Sequence, residues 1–302
     1  MESSSSSSIA PAAQTLVEYI LTDIAQTFGM KNSGLIYETV RRIVYKPALR
    51  FAEVLLKLDR SLSAEDVRKS SAIALDYFTD GYEFIDEQNV PKNGPLLVVA
   101  NHAGAADSIG AFGVVDRKDS SVVAGKRPML EALPNISRHL LFLEKDPVGR
   151  MNDMRQIINR LKKGEAVILF PKGLLEPDPA LIPGALQSIR SWSQSVGVFL
   201  AKVPETKLLP LLVSQTVAPK AWKSLWATWS RVPRKRQQLA MITQFAMQRL
   251  QPGKQWKVPL RVQVGSPYLP DELSNTLDPR EINESVQRVM SNLLLSVYPQ
   301  TA

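Results

Sequence analysis

Leu96-Leu97-Val98-Val99-Ala100-Asn101-His102-Ala103-Gly104-Ala105-Ala106-Asp107 reads as a strand, a tight bend and the start of a helix. Five apolar residues without alternation are what a strand covered on both faces requires. The four small residues after His102 let the chain fold back, and Asp107 then stands where it can cap the next helix. Downstream, short apolar runs alternate with amphipathic segments, and strands are expected near 96–100, 121–124, 140–143, 166–170, 208–213 and 260–264. A helix with Met151, Met154, Ile157, Ile158 and Leu161 on one face is stopped by Gly164. Another begins at Asp278-Pro279 and presents Ile282, Val286, Val289 and Leu293. This alternation predicts an α/β fold: a mixed, largely parallel sheet flanked by helices.

Upstream of the turn Pro91-Lys-Asn-Gly94, the apolar residues of 15–86 recur at helical spacing and predict an N-terminal helical region. Pro47 is expected to kink or break it, and Ser63 with Glu65 and Asp66 to open a further helix. Six consecutive serines open the chain in a stretch too poor in apolar residues to order itself. The expected organisation is a disordered tail over 1–14, a helical region over 15–90 and an α/β domain over 91–302.

The chain has 302 residues and no cysteine, which excludes disulfides and thiolate chemistry, and only two histidines, His102 and His139, so no metal site is expected. No run reaches the roughly 18 apolar residues that a spanning helix needs, so a membrane would be met from its surface. The net charge of +8 is concentrated: 206–270 holds 11 Lys or Arg and no acidic residue, leaving the rest of the chain 26 basic against 29 acidic. Such a block attracts anionic partners, lipid surfaces or phosphate-bearing polymers alike.

His102 is delivered to the carboxyl end of a buried strand, where ligands of open α/β sheets bind. If the carboxylate of Asp107 reaches the imidazole, one ring nitrogen is held as N–H and the other is left to accept a proton. For an isolated pair the simpler reading is favoured, with Asp107 a helix cap and His102 a satisfied strand-end residue. Three further blocks change that balance. Phe142-Leu-Glu-Lys145, then Gly164-Glu-Ala-Val-Ile-Leu-Phe170-Pro171-Lys172-Gly173, then Leu208-Leu-Pro210-Leu-Leu-Val213 follow in order. With Asn101-His102-x-x-x-x-Asp107 they resemble the four motif blocks of the glycerolipid acyltransferases, across roughly 94–217.

The resemblance implies an O-acyltransferase with no cofactor of its own. A fatty acyl group passes from acyl-CoA or acyl-carrier protein to the hydroxyl of a glycerolipid acceptor, lysophosphatidate, another lysophospholipid or glycerol 3-phosphate. His102 acts as general base and Asp107 orients it. It further implies acceptor binding by Lys145, Lys172 and Gly173. Two positions depart from the family pattern: Lys145 stands for an arginine, and Lys172 with Leu174-Leu175 stands for Glu and Thr-Arg. A bidentate phosphate fork is thereby lost while positive charge is kept. His139, in Ser-Arg-His just before a strand, reads as structural or exposed.

Trp222, Leu225, Trp226 and Trp229 have the spacing of one helical face, and Arg231, Arg234, Lys235 and Arg236 follow. That face suits either an anionic membrane or the core. Peripheral membrane association of a cytoplasmic protein is expected. Two alternatives remain at this stage: a non-catalytic acyl-chain or lysolipid binder of the same fold, and a nucleic-acid-binding protein using 206–270. Nucleic acid is not the expected partner, because the basic residues are interleaved with apolar runs rather than with a reading element.

Overall fold

The computed structural model describes residues 3–27, 29–64, 66–144, 146–250 and 253–301. The chain opens with α1 (Ser3–Thr27), α2 (Leu35–Ala64) and α3 (Val67–Phe78). In α1 side chains are described from Ala12 onward, and Ala13 is buried in one cluster with Leu16, Val17 and, from α2, Ala48 and Ala52. The tail expected over 1–14 is therefore corrected at its end, where helix packing orders 12–14; its earlier part lies outside the residues described in full. Pro47 sits inside α2 and does not end it, because Ala48, Ala52 and Leu55 bury beyond it and outweigh the one lost backbone hydrogen bond. The cap of α3 is Asp66, whose carboxylate accepts from Lys69 N at 2.8 Å.

The sheet begins earlier than expected. β1 (Tyr82–Ile85) pairs in parallel with a late strand, so the α/β unit starts at 82 rather than 91 and the helical region ends at Phe78. Then follow β2 (Leu96–Ala100), α4 (Asp107–Val115), β3 (Ser120–Gly125), α5 (Pro128–Glu131), α6 (Pro134–Arg138), β4 (Leu140–Leu143), α7 (Pro147–Lys162) and β5 (Ala166–Leu169). After these come α8 (Ala185–Ile189), α9 (Ser195–Lys202), β6 (Lys207–Ser214), α10 (Pro219–Trp222), α11 (Leu225–Thr228) and α12 (Pro233–Leu250). The chain closes with β7 (Leu260–Val264), α13 (Pro270–Leu273) and α14 (Pro279–Val297), the last capped by Asp278 as its sequence predicts.

The described residues form a 7-stranded sheet in the order β1-β7-β6-β2-β5-β3-β4. Its pairs are parallel except β6 with β7, so β1 and β7 run against the other strands. The expected mixed, largely parallel sheet is present. Successive residues of β2 face opposite layers, as the pleat dictates. Leu96 and Val98 join Leu75 and Phe78 of α3 and Ala111 of α4 in one cluster, while Leu97 and Val99 join Ile157, Phe199 and Val286 of α7, α9 and α14 in another. Both faces are covered, which accounts for the unbroken apolar run. At the opposite edge from the strand carboxyl ends, buried Arg117 donates to Gly94 O, Gly164 O and both oxygens of Asp119, joining the starts of β2, β5 and β3. The Arg117 hydrogen bond, aided by its charge and opposed by burial, holds the Asp119 carboxyl below its ordinary value.

Candidate active site

The central strand β2 ends in a residue that continues its ladder through a side chain. Asn101 Nδ2 donates to Val213 O at 2.8 Å, and Val213 N donates to Asn101 Oδ1 at 2.7 Å. The backbone is thus tied to β6 one residue beyond the strand, and His102 emerges from a fixed point at the carboxyl edge.

The bend that follows brings Asp107 back to the imidazole. His102 Nδ1 lies 2.7 Å from Asp107 Oδ2, which also accepts from Gly104 N at 2.8 Å, while Oδ1 accepts from Ser108 N at 2.6 Å. The helix cap is Ala106, with no side-chain bond, so Asp107 is the first residue of α4 and spends its carboxylate on the ring and the bend. A Cβ at Gly104 would stand 2.6 Å from Thr216 Cβ, so the small residue read in the sequence is a steric requirement of the bend. Asp107 is fully buried while 38% of the His102 side chain is exposed, so the pair is anchored from inside and reachable from outside.

A carboxylate accepts only, so in the neutral ring Nδ1 carries the hydrogen and Nε2 the lone pair. Burial pulls the imidazole pKa down, but the charge and hydrogen bond of Asp107 and the charge of Glu176 outweigh it, and the net displacement is upward; Arg127 opposes them. Phe170, at the end of β5, sets its ring 5.2 Å from the imidazole, centroid to centroid.

Two acids hold this loop, and neither was singled out in the sequence. Glu176 N donates to His102 O at 2.6 Å, and Glu176 Oε1 accepts from His102 N at 3.1 Å. Its Oε2 accepts from Ser188 Oγ at 2.7 Å and Trp192 Nε1 at 2.9 Å. Gln237 of α12 donates at 2.8 Å to both Ala103 O and Glu176 O, closing the clamp from the other side. Asp178 accepts from the N–H groups of Ala180, Gln215, Thr216 and Val217, binding the loop after β5 to the loop after β6. Burial, opposed by these hydrogen bonds, raises the carboxyl pKa of both Glu176 and Asp178. The signal was the run Glu176-Pro-Asp178-Pro, two acids in an otherwise uncharged stretch, which reads on its face as an exposed turn.

Of the acceptor residues expected from sequence, Lys172 follows β5 on the same edge as His102, with Nζ bonded to Ser191 Oγ. Gly173 follows it, exposed, with φ +64° that a side chain would strain. Lys145 lies outside the described residues. Its neighbours are built into structure: Glu144 N donates to Asp153 Oδ2 at 2.7 Å, and Asp146 caps α7. Arg127, after β3, joins this edge unforeseen; its exposed guanidinium lies 3.2 Å from Asp23 and its charge is felt at His102. His139 is structural, with Nδ1 3.1 Å from Ser120 O and its ring edge-on to Phe112.

The single tryptophan face is corrected. α10 ends at Trp222 with Lys223 as its cap, and Ser224 caps α11 by accepting from Ala227 N, so two short helices replace one. Trp222 turns inward beneath Arg236, whose guanidinium lies 4.0 Å from its ring centroid, while Leu225, Trp226 and Trp229 are exposed. No helix among the described residues is long and apolar enough to cross a membrane.

Residues 82–198 match the family model described as Acyltransferase. That interval holds β1, the His102 to Asp107 bend and the Phe170 to Asp178 loop, and ends before β6. A lysophosphatidylcholine acyltransferase of Drosophila melanogaster is 30% identical over 105 residues, which make up 31% of this chain and 19% of the relative, so the chain spans about a fifth of that protein's length. Among solved structures, the 1-acyl-sn-glycerophosphate (LPA) acyltransferase PlsC of Thermotoga maritima aligns with 96% of this chain and 97% of its own at 17% identity and a TM-score of 0.48. The resemblance read from the motif blocks is borne out over residues 82–198, where the chain matches the acyltransferase family model.

Proposed function

We propose that this protein is an O-acyltransferase that moves a fatty acyl group from acyl-CoA or acyl-carrier protein to the free hydroxyl of a glycerolipid acceptor. The observation that carries the reading is the 2.7 Å contact between a half-exposed imidazole and a fully buried carboxylate at the carboxyl edge of the parallel strands. His102 Nε2 takes the proton of the acceptor hydroxyl as its oxygen attacks the thioester carbonyl. The carbon–sulfur bond then breaks, and the thiolate leaves with the proton returned by the imidazolium. Asp107 fixes the tautomer and stabilises the ring while it is charged. No covalent enzyme intermediate is needed. The test is transfer from a labelled donor to a panel of acceptors: glycerol 3-phosphate, lysophosphatidate, lysophosphatidylcholine and an uncharged monoacylglycerol. Failure with every pairing overturns the proposal.

The general base must be neutral, so kcat/KM should fall on acidification through an apparent pKa above the ordinary histidine value of 6.5. Asp107→Asn removes the charge that raises it and leaves burial, which lowers it, so the acid limb of any residual activity should move down in pH. An unmoved limb in the pH profile overturns the assignment of that limb to His102.

The acceptor's anionic group falls to Lys172 and Arg127, with Lys145 as a third candidate from the sequence. Lysine gives a point charge without the paired donors of arginine, so binding survives and head-group discrimination is weak. Leu174 and Leu175 extend an apolar edge that suits an acceptor already carrying one acyl chain, and a lysophospholipid should outcompete glycerol 3-phosphate. Lys145→Ala, Lys172→Ala and Arg127→Ala should each raise KM for phosphate-bearing acceptors by roughly fivefold or more, and leave the monoacylglycerol unaffected. Equal effects on both acceptor kinds would assign these cations to the surface.

A further inference from the structure

Between β6 and β7, beyond the family match, lies the segment 215–259, which carries a cluster of exposed apolar side chains. Within the eight residues 225–232, Leu225 is 89% exposed, Trp226 62%, Trp229 80% and Val232 53%. Exposed tryptophan rings are costly in water, and here two of them stand with ring centroids 6.3 Å apart. Lys223, Arg231, Arg234 and Lys235 surround them, all exposed, and the ion pairs of the described residues include none of the four. No acid occurs from 206 to 270 to neutralise them. Leu35 and Ile43 of α2, also exposed, differ in setting: their helical layer mixes the bases Arg41, Arg42 and Lys46 with the acids Glu18, Asp23, Glu38 and Glu53.

The patch is built rather than loose. Ala227 is buried beneath it, Arg236 lies over Trp222 and donates to Trp222 O, and Ala218 N donates to Gln244 of α12. It is also tied to the active-site edge. Gln237, which clamps Ala103 and Glu176, sits three residues after Arg234, about 4.5 Å along the axis of α12.

We infer that α11 and the first turn of α12 form a docking surface for an anionic lipid bilayer, with Leu225, Trp226, Trp229 and Val232 entering the headgroup boundary and Lys223, Arg231, Arg234 and Lys235 meeting lipid phosphates. Amphipathic tryptophan rings beside unpaired cations are complementary to that interface and to its negative potential. The surface adjoins the loop that carries His102, so docking sets the active-site edge against the leaflet in which a lipid acceptor resides. This last consequence rests on the acyl-transfer proposal; the docking itself does not.

The experiment uses the full chain and sedimentation with vesicles of phosphatidylcholine, with or without phosphatidylglycerol. Two variants are compared, Trp226→Ser/Trp229→Ser and Arg231→Gln/Arg234→Gln/Lys235→Gln; Arg236 is spared because it supports Trp222. Wild type should bind anionic vesicles and release them as salt rises. The triple variant should lose about a hundredfold in partitioning, since each cation near such a surface is worth about fivefold. The tryptophan variant should lose binding at every salt concentration. In parallel, acyl transfer to a short-chain lysolipid dissolved as monomers should be unchanged in both variants, while transfer to vesicle-borne acceptor falls. Absent transfer with intact vesicle binding would sink the enzymatic reading and leave the docking surface standing. Unchanged sedimentation of both variants overturns the docking surface. So does RNA binding, or self-association by light scattering, that the variants abolish while vesicle binding persists.

Discussion

Replacing His102 with alanine is expected to lower acyl transfer by at least about a hundredfold and by up to about ten-thousandfold, the range for a positioned general base, without unfolding the protein. The fold should survive because the side chain is partly exposed and because Asp107 keeps the Gly104 and Ser108 N–H groups when the ring is gone. Asp107→Asn should be severely impaired as well, since an amide that donates to Nδ1 selects the wrong tautomer. Single-turnover rates alongside urea midpoints separate the chemical from the structural effect. A His102→Ala rate above about a tenth of wild type would be incompatible with the role, because even the low end of the expected contribution is larger.

The second large effect is structural. Asp178→Ala is expected to destabilise the protein by about 3–5 kcal/mol, because four backbone N–H groups of two loops lose their acceptor in a fully buried place. Activity should fall with it, since Thr216, one of the residues Asp178 holds, donates to Ala103 O at 2.7 Å beside His102, the proposed base. Asp178→Asn keeps the shape but points an amide at groups that are themselves donors, and should destabilise nearly as much. A shift in the urea midpoint equivalent to less than about 1 kcal/mol would mean that water replaces the carboxylate, and the loop clamp would have to be assigned elsewhere.

The central sheet was legible because its strands are buried on both faces. β2, β4 and β7 fall on the expected residues: β2 and β4 are unbroken apolar runs, the first buried throughout, while β7 alternates its apolar residues with Arg261 and Gln263. β1 was not legible. Four residues long and half-buried at the sheet edge, it follows directly on a helical pattern, and its partner β7 lies some 180 residues away in sequence. Pro47 does not end α2, for a related reason: packing between α1 and α2 decides where the local proline rule alone does not. In the site, the His102 to Asp107 pair was readable from spacing, since the bend is local. Glu176, Asp178 and Gln237 were not, because their partners are residues of other strands and loops, and an acid beside a proline looks the same in sequence whether solvated or buried. The tryptophan spacing suggested one helix; the serine that caps α11 breaks it and so decides which rings face water.

The two buried acids behind the active site bear on how the protein is to be handled. Glu176, Asp178 and His102 all have folded-state pKa values raised above their ordinary ones. Each therefore binds its proton more tightly in the folded than in the unfolded chain, adding stability at low pH that is lost as pH rises through its folded value. Asp119, held down by Arg117, works in the opposite direction and weakens the fold as it is protonated. The proposed acyl transfer asks the opposite of His102, which can act as a base only once its proton has left. On that proposal, the deprotonation that frees His102 to act also removes its own share of the stability held at low pH.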